Sequence, residues 1–215
     1  MNARQLTLVL AAALILVVAT VSSAPAQVGK SLGVVDANTA TEQALLAMPN
    51  MTPAIVKALV SARPFGSIVE LNAFLLGQKL TQERANAFYP KAFIHINLNT
   101  ATREEILLVP GAGNRMAREF AEYRPWKAWA QFDKEIGKYV GAEETARLAQ
   151  YGFIPVNLNT ASDADILSIP GAGQRMVREF KEYRPWKTMA QFEKEIGKYV
   201  DAKEVKRLWR YVVIE

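Results

Sequence analysis

Residues 97–126 read NLNTATREEILLVPGAGNRMAREFAEYRPW, and residues 157–186 read NLNTASDADILSIPGAGQRMVREFKEYRPW. These stretches open two longer segments, 97–154 and 157–214, which align without a gap and are identical at 38 of 58 positions. Self-similarity at a fixed period is typical of a chain built from copies of one supersecondary unit. The sequence therefore predicts tandem modules of about 60 residues each.

A diverged first copy precedes these two in the same frame. Asn38-Thr39-Ala40 corresponds to the N-T-A of the later copies, Pro49 to the proline before their GAG, and Arg63-Pro64-Phe65 to their R-P-W. One residue is inserted near Leu76. We predict three modules, which span residues 35–94, 95–154 and 155–215.

Each copy contains signals for a helix, a turn and a second helix. In the second copy, Thr102 and Glu105 are spaced as a capping box that begins a helix, and Pro110 ends it. Glycine permits backbone angles that other residues avoid, so residues 111–113 predict a tight turn. The next helix ends before Arg124-Pro125, because a residue before proline is disfavoured in the helical region.

The second half of the copy predicts two further helices, over residues 130–136 and 142–148. No segment longer than the connectors shows strand periodicity, so the predicted class is all-α: a tandem array of three small domains of two helical hairpins each. The links between copies are only a few residues long. We therefore expect neighbouring copies to touch and to form a semi-rigid rod or arc.

Composition limits the classes of function. The chain has no cysteine, which excludes disulfides and thiol chemistry. Residues 27–94 contain 6 basic and 4 acidic residues, 95–154 contain 8 and 8, and 155–215 contain 11 and 9, so no copy is strongly basic.

The single His95 is interpreted as a surface or linker residue, and Trp126 and Trp186 as core residues. We find no nucleophile paired with a base and no cluster of metal ligands, and we expect neither enzyme activity, metal nor cofactor.

The N-terminal residues 1–26 resemble a secretory signal peptide. Arg4 provides a positive start, residues 6–21 are almost unbroken apolar sequence, and Ala24-Pro25-Ala26 matches a cleavage site. We predict cleavage after Ala26, with residues 6–24 retained as a membrane anchor as the alternative. In both cases the rest of the chain is exported, and a bacterial periplasm is the expected location.

The pattern N-x-N-T-A, P-G-A-G-x-R and E-Y-R-P-W resembles the ComEA-like helix-hairpin-helix family, once per copy, over nearly all of residues 36–214. The resemblance implies an exported protein of DNA uptake in natural competence that binds duplex DNA without reading its bases. In that family, the turn G-hydrophobic-G presents backbone amides, at the start of the following helix, to a phosphate oxygen.

The resemblance carries over to eight residues in two turns. They are Gly111, Ala112, Gly113 and Arg115 in the second copy, and Gly171, Ala172, Gly173 and Arg175 in the third. Independently of the family, a helix N-terminus has unpaired N–H groups and a partial positive charge, which favour an anion. Binding of this kind is independent of sequence and strongly dependent on salt.

The chain departs from the family pattern at several places. Alanine stands between the glycines, where the family usually has a larger apolar residue. The first copy reads Asn50-Met51-Thr52-Pro53 at the turn, so we expect it to keep the fold, with Asn50 left-handed, but not to bind phosphate. The second hairpins, around 138–141 and 198–201, also lack the glycine pattern and are interpreted as structural.

Two groups of cations have a simpler interpretation than DNA contact. Arg118 and Arg178 lie at helical spacing from glutamates and are expected to form ion pairs with them. Lys203, Lys206, Arg207 and Arg210 are expected on a solvated helix face.

A rival function comes from a second resemblance. The fold is similar to that of the small extrinsic luminal subunit of photosystem II, a protein-docking component. On this interpretation the array is a structural module whose partners are envelope proteins, and DNA is not bound.

Overall fold

The computed structural model describes residues 33–215. This part of the chain is largely helical, with eleven helices and six strands of two residues each. No helix within it is long and apolar enough to cross a membrane. The predicted signal peptide or anchor, residues 1–26, lies outside the described residues.

The same order of elements recurs in the three repeats. The first repeat contains β1 (Val35–Asp36), α1 (Glu42–Leu46), α2 (Pro53–Ala62), α3 (Ile68–Gly77), α4 (Gln82–Phe88) and β2 (Ala92–Phe93). The second contains β3 (Ile96–Asn97), α5 (Arg103–Leu107), α6 (Asn114–Glu122), α7 (Trp129–Ala149) and β4 (Gly152–Phe153). The third contains β5 (Val156–Asn157), α8 (Asp163–Leu167), α9 (Gln174–Glu182), α10 (Met189–Ile196), α11 (Ala202–Trp209) and β6 (Val212–Val213).

The predicted helix signals are confirmed, with one difference in α7. Thr102 and Glu105 form a complete capping box at the start of α5. The two helices predicted for residues 130–136 and 142–148 are joined in one span, α7, which is interrupted at Gly141 with φ 78° and ψ 169°. In the third repeat the equivalent residue is Asp201, whose side chain caps α11, so α10 and α11 are separate helices.

Short parallel strand pairs close each repeat. β1 pairs with β2, β3 with β4, and β5 with β6, and each pair joins the start of a repeat to its end. The register places Ile96 opposite Gly152 and Val156 opposite Val212. The short segments between the helical parts of successive repeats therefore pair as strands.

The asparagine of the N-T-A motif links the start of a repeat to its middle by hydrogen bonds. In the second repeat, Asn99 Oδ1 accepts a hydrogen bond from the amide of Trp126 at 2.6 Å, and Asn99 Nδ2 donates to the carbonyl of Trp126 at 3.0 Å. Asn38 with Phe65 and Asn159 with Trp186 form the same pair of bonds. The motif therefore has a structural function that its family resemblance did not predict.

Tryptophan fills the core beside this asparagine. Trp126 is 1% exposed, and its indole Nε1 donates to the carbonyl of Phe120. Trp186 is equally buried and donates to Phe180. The interpretation of both tryptophans as core residues is confirmed.

Successive repeats pack through aromatic residues at their ends. The ring centroids of Phe93 and Tyr151 are 5.1 Å apart, and those of Phe153 and Tyr211 are 4.6 Å apart. Neighbouring repeats therefore touch, as the short links predicted.

The third repeat also contacts the first, which the expected rod or arc did not include. Tyr211 Oη donates to Asp36 Oδ2 at 2.5 Å, across 175 positions of sequence, and Arg210 Nη2 donates to the carbonyl of His95. The array therefore closes on itself through the residues that follow α11, which contact β1 and the link between the first two repeats.

His95 is part of this closure, and its interpretation as a surface or linker residue was wrong about its exposure. The residue lies in the link between the first and second repeats, but it is only 5% exposed. Its Nδ1 lies 3.4 Å from Asp36 Oδ2. Burial by itself raises the pKa of Asp36, but His95, Tyr211 and the amide of Asn38 together outweigh burial and lower it to about 2.

Candidate phosphate-binding turns

The two P-G-A-G turns have the same backbone geometry. Gly111 and Gly171 are left-handed, with φ of 78° and 77°. The amide of Ala112 donates to the carbonyl of Val109 at 2.9 Å, and Ala172 makes the same bond at the same distance. These bonds close each turn, and the chain then enters α6 or α9 directly.

The alanine amides are therefore already used within the turns. We expected the amides of all three turn residues to face phosphate, but those of Ala112 and Ala172 hold the hairpin together instead. Ala112 is also buried, at 8% exposure, and its methyl group belongs to the core. The donors that remain are the glycine amides and those of the first turn of the following helix.

The helices that follow the turns begin without a side-chain cap. Across residues 33–215, eight helices begin at a Ser, Thr or Asp whose side chain accepts a hydrogen bond from a first-turn amide. α6 and α9 begin at Gly113 and Gly173, and no side chain caps their amides; α7, which begins after Ala128, also lacks such a bond. Gly113 and Gly173 are exposed, so an external acceptor can reach these N–H groups.

The first repeat differs at this point, as the sequence predicted. Asn50 is left-handed, with φ 63°, and preserves the turn. Thr52 caps α2, since its hydroxyl accepts from the amide of Ile55 at 3.3 Å. In the first repeat, a side chain therefore accepts from a first-turn amide of α2. The equivalent amides of α6 and α9 have no side-chain acceptor.

Arg115 and Arg175 are exposed, and each stacks on a tyrosine of the second hairpin. The guanidinium carbon of Arg115 lies 4.6 Å from the centroid of Tyr139, and that of Arg175 lies 4.8 Å from Tyr199. Among the described residues neither arginine takes part in a salt bridge. Their charge is therefore held beside the turn without being neutralised by a carboxylate.

The tyrosines were missed by sequence reasoning. The second hairpins were interpreted as structural only, but Tyr139 and Tyr199 also support the site arginines. In the first repeat the aligned position is Lys79, and alanine replaces the arginine. The arginine and the tyrosine thus occur together in the second and third repeats and are both absent from the first. This pairing was visible in the sequence and could have indicated the contact.

A second arginine packs behind each turn. A Cβ added at Gly111 would lie 2.5 Å from Arg147 Nη2, and one at Gly171 would lie 2.9 Å from Arg207 Nη2. Arg147 donates twice to Glu144, at 2.6 Å, and Arg207 donates twice to Glu204, at 2.7 Å. Glycine is needed at the first turn position both for its φ and because a guanidinium lies against it.

The second repeat has one further cation at the turn. Arg103 Nη2 donates to the side chain of Asn114, the first residue of α6, at 2.5 Å. The aligned residue in the third repeat is Asp163, which pairs with Lys181. The second repeat therefore has an arginine beside the start of α6 where the third has an aspartate paired with a lysine.

The ion pairs predicted for Arg118 and Arg178 do not form between residues 33 and 215. Both side chains are exposed on the helices that follow the turns, where solvent weakens a pair of this kind. In the same part of the chain, no group of three or more His, Asp or Glu side chains could hold a metal ion.

Comparison of the chain with protein-family models, with curated proteins and with solved structures finds no match. The interpretation of the turns therefore depends on their geometry and on the sequence motifs.

Proposed function

We propose that this chain is an exported, non-sequence-specific DNA-binding protein whose three repeats are helix-hairpin-helix domains of the ComEA-like type. The second and third repeats contact backbone phosphates of duplex DNA, and the first is a scaffold. The observation that carries the proposal is the pair of uncapped, exposed helix starts at Gly113 and Gly173, each with an unpaired arginine beside it.

The chemistry of these turns fits a phosphate oxygen. The first-turn amides of α6 and α9 point out of the helix start, where the partial positive charge of the helix favours an anion. Arg115 and Arg175 add a full charge each. Because each arginine already stacks on a tyrosine, its side chain loses less conformational entropy when it binds phosphate. None of these groups reads a base edge, so the expected binding is independent of sequence.

A salt titration of the double variant Arg115→Gln and Arg175→Gln tests the proposal. Each phosphate contact contributes about −0.9 to the slope of log affinity against log salt, so the loss of two contacts reduces the slope by about 2. Fluorescence anisotropy of a labelled duplex measures this slope. The matched control is Arg118→Gln with Arg178→Gln, which removes two exposed cations of the same helices away from the turn.

The second candidate function is a protein-docking module of an envelope complex. Its support is the balance of charge, because each repeat carries only zero to two more basic than acidic residues. Duplex binding that is absent, or that has the same salt slope in both double variants, would favour this function over DNA binding.

A further inference from the structure

The contact between the first and third repeats contains a cleft with a basic wall. Pro64, Phe65, Gly66 and Glu70 of the first repeat line one side, and Lys206, Arg207 and Arg210 of the third line the other. The cavity between them is small, about 40 Å³, and opens to solvent. This cleft is separate from the exposed amides at the start of α9, although Arg207 also packs behind the turn at Gly171.

The expectation of a solvated face for the last helix is wrong for Arg207. Lys203 and Lys206 are exposed, as expected, but the Arg207 side chain is only 3% exposed. The cause is the first repeat, whose chain covers this helix. The third repeat thus buries a guanidinium at its contact with the first repeat.

Several guanidinium N–H groups at this interface have no acceptor among the described residues. Arg207 donates from Nε and Nη2 to Glu204, but its buried Nη1 has no partner. Arg210 donates from Nη2 to the carbonyl of His95, and its Nη1 is likewise buried without a partner. Arg63, which precedes Pro64, leaves both Nε and Nη2 unpaired, whereas the aligned Arg124 uses them to bind two carbonyls.

The nearby carboxylates are already engaged. Asp36 accepts from Tyr211 and from the amide of Asn38, and lies against His95. Glu204 accepts both bonds from Arg207, and Glu70 accepts from the amide of Gly66 at 2.5 Å. A buried donor without an acceptor destabilises the fold, and more so when the group is charged, so the cleft favours an acceptor from outside the chain.

The second repeat supplies an internal comparison. Lys206, Arg207 and Arg210 align with Ala146, Arg147 and Gln150. Arg147 keeps the pair with glutamate and the place behind the glycine turn, but its side chain is 32% exposed, and none of its nitrogens is buried without a partner. The extra cations Lys206 and Arg210 therefore occur in the third repeat and not at the aligned positions of the second.

We propose that the cleft between the first and third repeats binds a phosphate-type oxyanion through Arg207, Arg210 and Lys206. Arginine binds such anions through paired N–H groups, and the two arginines that line the cleft each have a buried Nη1 without an acceptor among the described residues, which a small shift of the side chain would present to the anion. Lys206 adds a charge at the exposed rim. The anion is either free phosphate or a phosphate of a DNA backbone, and the site does not depend on the turns.

Titration of the full chain with inorganic phosphate, at constant ionic strength balanced with chloride, tests this site. We expect saturable NMR shifts of the backbone amides of residues 65–66 and 206–210. Arg210→Gln should weaken phosphate binding by about tenfold or more, and Lys206→Gln by about threefold. Arg147→Gln is the matched control in the second repeat and should leave phosphate affinity within about twofold.

Lys206→Gln keeps the test valid if Arg210→Gln destabilises the fold, because Lys206 is exposed and its replacement should shift the unfolding temperature by no more than about 2 °C. Shifts that are absent or that rise linearly with phosphate would overturn the proposal. So would wild-type phosphate affinity in the folded Lys206→Gln and Arg210→Gln variants.

A second titration of the same variants, with duplex DNA, distinguishes the two sources of phosphate. If the same variants weaken duplex binding, the ligand is the DNA backbone; if they change only the inorganic phosphate titration, the ligand is free phosphate. Failure of the DNA function remains separable, since Gly113→Asp with Gly173→Asp should weaken duplex binding by about 100-fold and leave the phosphate shifts in the cleft intact.

Discussion

Giving α6 and α9 the side-chain cap that they lack should stabilise the protein and abolish DNA binding. The change is Gly113→Asp with Gly173→Asp. Gly113 has φ −101° and ψ −173°, an extended conformation that any residue adopts, and a Cβ added there meets nothing within 4 Å. Gly111 is a poor target, because its φ is 78° and Arg147 lies against it.

The size of the stability effect follows from the other caps in the chain. Asp201 already accepts a hydrogen bond from the amide of Glu204 at 2.8 Å, and an aspartate at position 113 can make the equivalent bond. Aspartate exceeds glycine as a cap by a few tenths of a kcal/mol, and its charge at the helix start adds about 0.3–1 kcal/mol. With two such sites, we expect the double variant to gain about 1–2.5 kcal/mol of unfolding free energy, measured by urea denaturation.

The expected effect on DNA binding has the opposite sign. The new carboxylate occupies the amides assigned to phosphate and repels the DNA. A hydrogen bond to a charged group contributes about 1.5–3 kcal/mol, so the loss of two sites lowers duplex affinity by about 100-fold or more. Anisotropy with a labelled duplex, at low and at physiological salt, measures this loss.

Two control variants separate blocked amides from added charge. Gly113→Ser with Gly173→Ser gives a neutral cap, which should weaken duplex binding less than aspartate does. Thr52→Asp places the same charge at the equivalent cap of the first repeat and should leave duplex binding close to wild type. An aspartate variant that is more stable and still binds duplex DNA with wild-type affinity would refute the assignment of phosphate to these amides.

Three further substitutions test the fold. Asn99→Ala removes both bonds to the Trp126 backbone and should lower the unfolding free energy by about 2 kcal/mol in urea denaturation. Asp36→Asn removes the charge beside His95. Folding lowers the pKa of Asp36 from 3.8 to about 2, so its carboxylate stabilises the fold above about pH 4. This stabilisation is lost as the pH falls through about 2. The variant should lose about 2 kcal/mol at about pH 6 and show a flatter stability profile between about pH 4 and pH 2. Gly141→Ala, at φ 78°, should cost about 1–3 kcal/mol in thermal unfolding.

The parts of the fold that local chemistry determines were predicted from the sequence. The capping box at Thr102 and Glu105, the helix end before Arg124-Pro125 and the left-handed Asn50 all depend on a few neighbouring residues. The different turn of the first repeat was also visible in the sequence, since Thr52 stands where the other copies have the second glycine and Pro53 follows it. The structure adds that Thr52 is itself a helix cap.

The closure of the array was not predicted, because its contacts join residues far apart in the chain. Nothing near His95 indicates that it meets Asp36, and nothing near Arg210 indicates that it meets the link between the first two repeats. The same holds for Tyr139, whose contact with Arg115 lies within one repeat but between its two hairpins. Periodicity identified the helices, whereas these contacts depend on how the helices pack.

Divergence among the repeats follows this closure. Asp36 aligns with Asn97 and Asn157, His95 with Pro155, and Arg210 with Gln150. Asp36 and Arg210 each differ from the aligned residue of the second repeat, and each makes a hydrogen bond that joins distant parts of the chain. His95, in the link between the first two repeats, lies against Asp36, and its counterparts in the other copies are Val34 and Pro155. Three copies of one module can form an open array with a free surface at each end; here substitutions in the first and last copies join the two ends, and the oxyanion cleft proposed above lies at that joint.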